Sequence, residues 1–228
     1  MPTTYPITWD NTGEKKFETG NKKGVLYVMT DQGAYGDGVP WNGLTAVTLS
    51  NSGADETALW ADDIKYASLR SAEEFGATIE AYQCPSEFYA CDGTAEIETG
   101  VYLGQQGRRS FGFSYVTTIG NDVLGTGYGY KIHLIYNASA NPSERSYQTI
   151  NESPDAITLS WEITTTPVPV ESFDGHTYTG YKHVAHLEID STKVDATKLA
   201  AFEAILYGSG STAPRLPLPG EVASMFAA

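Results

Sequence analysis

The chain has 228 residues, 41% of them hydrophobic, and its 28 acidic against 14 basic side chains leave a net charge of −14. That length supports a sizeable core, the composition excludes disorder along the whole chain, and no run of 18 apolar residues offers a membrane span. The acidity disfavours nucleic-acid binding through phosphate contacts, because like-charged surfaces repel.

The first residues, MPTTYPITWDNTGEKK, lack a basic start followed by an apolar stretch. They are therefore not expected to act as a secretory leader, and folding in a cytosol is expected. In that setting Cys84 and Cys91 read as free thiols. Their spacing is not that of zinc ligands, and the sequons at Asn137 and Asn151 carry no weight. Short runs of Thr, Val, Ile and Tyr, punctuated by Gly, Asn, Asp and Pro, predict strands at 25–29, 44–49, 64–69 and 73–82. Further strands are predicted at 110–119, 130–136, 156–166 and 184–189. The clearest alternation places Ile157, Leu159, Trp161 and Ile163 on one side and Thr158, Ser160 and Glu162 on the other. One helix is predicted over about 195–207, capped by Asp195, striped by Leu199, Phe202, Ile205 and Leu206, and ended by Gly208. Residues 1–208 thus read as one β-rich domain. The Pro/Gly/Ser-rich stretch 209–228 reads as an extended or irregular arm that orders only against a partner.

Three long segments between strands, 30–43, 50–63 and 164–183, read as irregular loops, which at such length point to function or interaction. They carry Tyr35, Trp41, Trp60, Phe173 and Tyr178, aromatic side chains that either anchor an interface or fold back on their own sheet. Arg108 and Arg109 form an isolated basic pair, read either as a solvated turn or as a contact with an acidic neighbouring subunit.

No catalytic constellation emerges. If 73–82 is one strand, Glu74 and Glu80 share a face but stand roughly 20 Å apart at about 3.3 Å per residue, whereas a glycosidase pair needs about 5–9.5 Å. His183 and His186 are three apart and fall on opposite faces of a strand, His133 alternates with Ile132 and Leu134, and His176 lies in a loop, so no metal site is expected. GTGYGYK (125–131) lacks the Gly-Lys-Ser/Thr ending of a phosphate loop and reads as a hairpin turn. No G-x-S-x-G motif surrounds any serine.

Across residues 7–208 the chain resembles the major tail proteins of siphophages, the subunits of the long non-contractile tail tube. The resemblance runs in order through WDNTGEKKFETGNKKGVLYV, GVPWNGLTAVTLS, SAEEFGATIEAYQCPSEFYACDG, GQQGRRSFGFSYVTTIGND, GYKIHLIYNASANPSERSYQTIN, AITLSWEITTTPV and DSTKVDATKLAAFEAILYG. WNGLTAV and SWEITTTPV make it most specific, while ESFDGHTYTGYKHVAH is longer than the family pattern. The resemblance implies a mainly β fold, a β-sandwich or split barrel with one packed α-helix and long inter-subunit loops. It implies hexameric rings stacked into a hollow tube within the virion tail, made and assembled in the host bacterial cytoplasm. The implied partners are further copies of the chain, a tape-measure protein, tail terminator and distal tail proteins, and phage DNA passing without sticking during genome ejection; no membrane, cofactor or enzyme activity is implied. On that basis Glu74, Thr78 and Glu80 are expected to face an acidic lumen, and Tyr35, Trp41, Trp60, Arg108, Arg109, Phe173 and Tyr178 to serve contacts between subunits and rings. Two competing expectations are a carbohydrate-binding β-sandwich using Trp41, Trp60 and Tyr178, and a glycoside hydrolase with carboxylates paired across strands.

Overall fold

The computed structural model of the chain describes residues 7–147, 149–150 and 156–227, so the sequon at Asn151 lies outside the described residues. The chain opens with β1 (Lys16–Met29), β2 (Tyr35–Trp41) and β3 (Leu44–Leu49). An excursion follows, made of β4 (Ser52–Gly53), β5 (Glu56–Ala61), β6 (Ile64–Arg70) and β7 (Glu73–Glu74). β8 (Gly76–Ala81) then leads through a 3-10 turn at Ser86–Phe88 into α1 (Tyr89–Asp92) and the hairpin of β9 (Ala95–Glu98) and β10 (Val101–Leu103). β11 (Phe111–Asn121), β12 (Gly125–Ala140), β13 (Leu159–Thr165) and β14 (His186–Asp190) precede α2 (Ala196–Leu206) and α3 (Pro219–Phe226). Among the described residues no helix is long and apolar enough to cross a membrane.

The main sheet is antiparallel, with neighbours in the order β2-β1-β11-β12-β13-β8-β3 and β14 also on β12. β2 and β3 occupy opposite ends of that order, yet only Asn42 and Gly43 separate them in sequence. Seven strands laid flat would span roughly 29 Å at about 4.8 Å per spacing, while the link from Trp41 to Leu44 reaches at most about 11 Å. The sheet therefore has to curl until its two edges meet. At the seam Gly24 sits in close approach: a Cβ there would come within 3.1 Å of Leu44 Cδ2 and 3.3 Å of the Trp41 carbonyl oxygen, so its neighbours would have to give by a few tenths of an ångström. The sheet also forks along β12. Lys131–Ile135 pairs with β14 and Ala138–Ala140 with β13, and Asn137, between the two, has a positive φ of 45°. The result is a large, curled antiparallel sheet that divides along β12.

Each side of the curled sheet has its own core. Inside, Trp41 sits among Phe88, Trp161 and Phe113 at ring-centroid distances of 4.6, 5.4 and 5.5 Å. Leu26, Ile79, Ile135 and Ile163 fill the space around them. Outside, Val25, Tyr27, Val116, Ile132, Leu134 and Tyr136 meet Leu199, Phe202 and Leu206 of α2. β11 and β12 are covered on both faces, so their apolar runs scarcely alternate. α2 is built as its sequence predicts: Asp195 Oδ1 accepts from the Thr197 and Lys198 amides at 2.9 and 3.0 Å, and Gly208 follows with φ 81°.

Several expectations need correction. Segment 30–43 contains β2, and segment 50–63 contains β4 and β5; only 164–183 is irregular over most of its length, pinned by the bridges Val168↔Val184 and Phe173↔His176. The predicted strand 73–82 breaks at Phe75, so Glu74 pairs with Ser52 in a separate ladder from Thr78 and Glu80. Stretch 209–228 is extended or irregular only as far as Leu218; α3 follows, and the described part, up to Ala227, packs on the chain's own body instead of waiting for a partner. Gly38 donates to the Pro214 carbonyl at 2.8 Å, and α3 then lies against α2, with Leu216 and Val222 buried and Phe226 at 5.7 Å from Phe202. The Pro and Gly residues that suggested irregularity mark the approach and the first turn of α3, where Pro219 suits a helix start. A Cβ at Gly220 would come within 1.9 Å of the Glu171 carbonyl oxygen, so this turn packs directly on backbone.

Candidate interaction surface

Between β3 and β8 the chain leaves the main sheet as a two-stranded ribbon. β4 pairs with β7 at its base and β5 with β6 towards its tip. Asp62 and Asp63 make the two-residue turn with φ of 50° and 61°, the left-handed pair that a type I′ hairpin requires. A strand of the main sheet has a buried face; β5 and β6 are exposed on both sides for almost their whole length. Even so, the ribbon carries Leu59, Trp60, Ile64, Tyr66 and Leu69 in solvent, with Trp60 70% and Tyr66 74% exposed. Glu56 ties the strands together through Lys65, Arg70 and Ser68, and the Lys65 and Ser68 hydrogen bonds hold its carboxyl below the usual range. Isolated two-stranded ribbons are marginal in water, and large apolar side chains gathered on an exposed element mark a contact site.

The wet face of the neighbouring sheet wall is acidic. Ala77, Ile79 and Ala81 point into the core, which turns Thr78 and Glu80 outward. Register places Thr48 and Glu162 beside Thr78, and Ala46 and Ser160 beside Glu80. β3, at the rim of this wall, pairs with β8 alone among the described strands; no strand hydrogen-bonds its other edge, which at Leu44 lies against Gly24 at the seam.

The predicted contact residues divide. Trp60 and Phe173 are exposed. Tyr178 is half-buried, 6.4 Å from the His176 ring. Trp41 is not a surface anchor: it is 2% exposed, and its Nε1 donates to the Gln83 carbonyl at 2.9 Å. Tyr35 is likewise turned inward, its hydroxyl accepting from the Asn137 amide at 2.9 Å. Both lie on β2, whose pairing with β1 draws them into the body. Arg108 donates to the Ala140 carbonyl at 2.9 Å and Arg109 pairs with Asp31 at 2.9 Å, so the basic pair is engaged within the chain.

A polar cluster that sequence spacing did not reveal lies at the fork. His133 on β12 opposes Glu188 on β14, and His186 lies two residues before Glu188. The rings of Tyr115, His133, His186 and Phe75 stack in succession at 4.5, 5.4 and 4.9 Å. Burial pushes both imidazoles down, His186 to about 4, with the nearby His133 acting in the same direction on it. The sequence signal for it is the pair His186 and Glu188 in HLE, two apart and so on one strand face.

No protein-family model matches this chain, and no curated protein matches it in sequence.

Proposed function

We propose that this protein is the structural subunit of a siphophage tail tube, with no catalytic role. The observation that carries this reading is the apolar ribbon between β3 and β8. An exposed element bearing Trp60, Ile64 and Tyr66 on an otherwise well-packed body fits a subunit that completes its packing against a neighbour. A mainly β body with one large curled antiparallel sheet and α2 packed on its outer face is compatible with the fold that the sequence resemblance implies. Beyond the seam at Leu44, the edge of β3 that no described strand hydrogen-bonds is suited to continuing the sheet into a second copy. In this reading the wall bearing Thr78, Glu80 and Glu162 faces the lumen and repels passing DNA, with Glu74 at the base of the ribbon. Trp60 reaches an adjoining ring; Phe173, Tyr178 and the exposed Arg109–Asp31 pair lie at subunit boundaries. Tape-measure, terminator and distal tail proteins would be the remaining partners, and the virion tail the location. The carbohydrate-binding alternative loses one of its three stacking candidates, because Trp41 is buried.

The test is negative-stain electron microscopy of the purified chain over a concentration series, beside the double variant Trp60→Asp/Tyr66→Asp. Tubes or stacked rings with a stain-filled channel are expected for the natural sequence. The variant should keep its melting temperature yet fail to stack. A natural chain that stays monomeric at every concentration, and also when seeded with preformed tail-tip complexes, would overturn the proposal.

A further inference from the structure

The cluster at the fork has the dimensions of a metal site. His133 Nδ1, His186 Nε2 and a carboxylate oxygen of Glu188 all lie within 4.8 Å of one another. His133 Nδ1 is 3.2 Å from His186 Nε2 and 3.6 Å from Glu188 Oε1. A tetrahedral ion with bonds of about 2.0–2.1 Å holds its ligand atoms about 3.3–3.4 Å apart. Those two separations lie within about 0.3 Å of that edge, while Glu188 has to swing towards His186, from which its oxygen stands no more than 4.8 Å away.

The surroundings prepare the ligands. Thr117 Oγ1 lies 2.9 Å from His133 Nε2, placed to accept the ring proton of the tautomer that presents the Nδ1 lone pair to the cluster. The imidazole planes of His133 and His186 are parallel to within 2°, held between the rings of Tyr115 and Phe75. Lys131 Nζ stands 3.5 Å from Glu188 Oε2 and also pairs with Glu18, so it holds one oxygen of Glu188 while Oε1 is nearer His133. Lys131 is the one basic side chain paired with this carboxylate among the described residues, and Glu18 offsets its charge. Access is through a cleft of about 630 Å³ bordered by Phe75, Thr166, His183 and His186.

We propose that His133 Nδ1, His186 Nε2 and Glu188 Oε1 bind one divalent cation of borderline softness, with Zn²⁺ the best match, and that water completes the tetrahedron. Two imidazoles and one carboxylate suit Zn²⁺ over Mg²⁺ or Ca²⁺, which prefer all-oxygen shells. The ion would clamp β14 to β12 where the sheet divides, whether or not the chain builds tubes.

Untagged full-length chain, first treated with chelator, is titrated with Zn²⁺ by calorimetry and with Co²⁺ by visible absorption. One equivalent of Zn²⁺ should bind, Co²⁺ should give the intense bands of a four-coordinate site, and Mg²⁺ should give no heat. Glu188→Gln and His186→Phe, the latter retaining the ring stack, should each weaken Zn²⁺ by more than about tenfold, the lower end of what even an outer-shell change costs. Their metal-free melting temperatures show that they fold. Absence of Zn²⁺ binding by the natural chain, or equal binding by both folded variants, would overturn the site.

Discussion

At the scale of single residues, burial decides chemistry more than residue type does. Cys84 and Cys91 are unbridged, and burial pushes their thiols up to about 11 and about 12, with the Asp92 charge adding to the effect. The thiolate is the reactive form, so at pH 8 both should resist iodoacetamide in the native chain and alkylate rapidly in urea, as followed by intact mass. Reactivity should appear only as the pH climbs towards those values, because a raised thiol pKa keeps the protonated form dominant below it. Trp41 makes the same point through packing. Replacing it with alanine removes three ring contacts and strands the Gln83 carbonyl, so Trp41→Ala should cost about 3–5 kcal/mol in urea unfolding. A side chain that served only contacts between subunits would cost the isolated chain almost nothing.

At the scale of elements, the C-terminal segment gives the sharpest test. Ending the chain at Gly208 would uncover the partners of Leu216 and Val222 and leave the Tyr136 hydroxyl without the Pro217 carbonyl. The two apolar side chains alone should account for about 3–6 kcal/mol, measured by denaturant midpoint; an arm that waits for a partner would give no change. Sequence legibility follows from what each element buries. β3, β8 and β13 could be read because alternate side chains face a core, β11 and β12 because they are near-continuous runs of aromatic and β-branched residues buried on both faces, and α2 because its apolar residues form one helical stripe. β2, with sequence YGDGVPW, could not, because Gly and Pro occupy the places where β-branched residues would give the signal. β5 and β6 differ in the same respect: β6 looks like a strand, while β5 lies in a stretch rich in Ser, Asn, Asp and Gly and has no buried face to impose a pattern. α3 is only eight residues long, and the Pro-rich approach masks it. The fork cluster depends on the β12–β14 register, which no local pattern encodes.

At the scale of the whole molecule, charge and shape have to be considered together. Six copies at −14 each would give a ring a formal charge of −84, and part of it belongs to the wall formed by β3, β8 and β13. If that wall lines a channel, natural tubes should release labelled duplex DNA freely at low salt. Tubes of Glu80→Lys/Glu162→Lys should retain it, and about 0.5 M salt should abolish the retention by screening. Equal behaviour of the two tubes would place the wall on the outside. Subunit association should also strengthen with salt for the natural chain, since screening relieves repulsion between acidic neighbours.

The ribbon and the main sheet also differ in how far apart in sequence their contacts lie. Leu26↔Phe113 and Ile79↔Trp161 join positions 87 and 82 residues apart, whereas Glu56↔Arg70, the widest pair between β5 and β6, spans 14. A hairpin forms in about 1–10 μs, while barrels dominated by distant pairings take milliseconds to seconds. If the ribbon is the contact site, its hairpin can therefore begin to form long before the sheet that carries it is complete. In that interval a newly made chain carries Trp60 and Tyr66 with no finished surface to receive them, and crowding decides whether it completes its sheet or is lost to another ribbon. Refolding yield should fall steeply with protein concentration for the natural chain, and much less for a chain whose ribbon is cut back to a short turn.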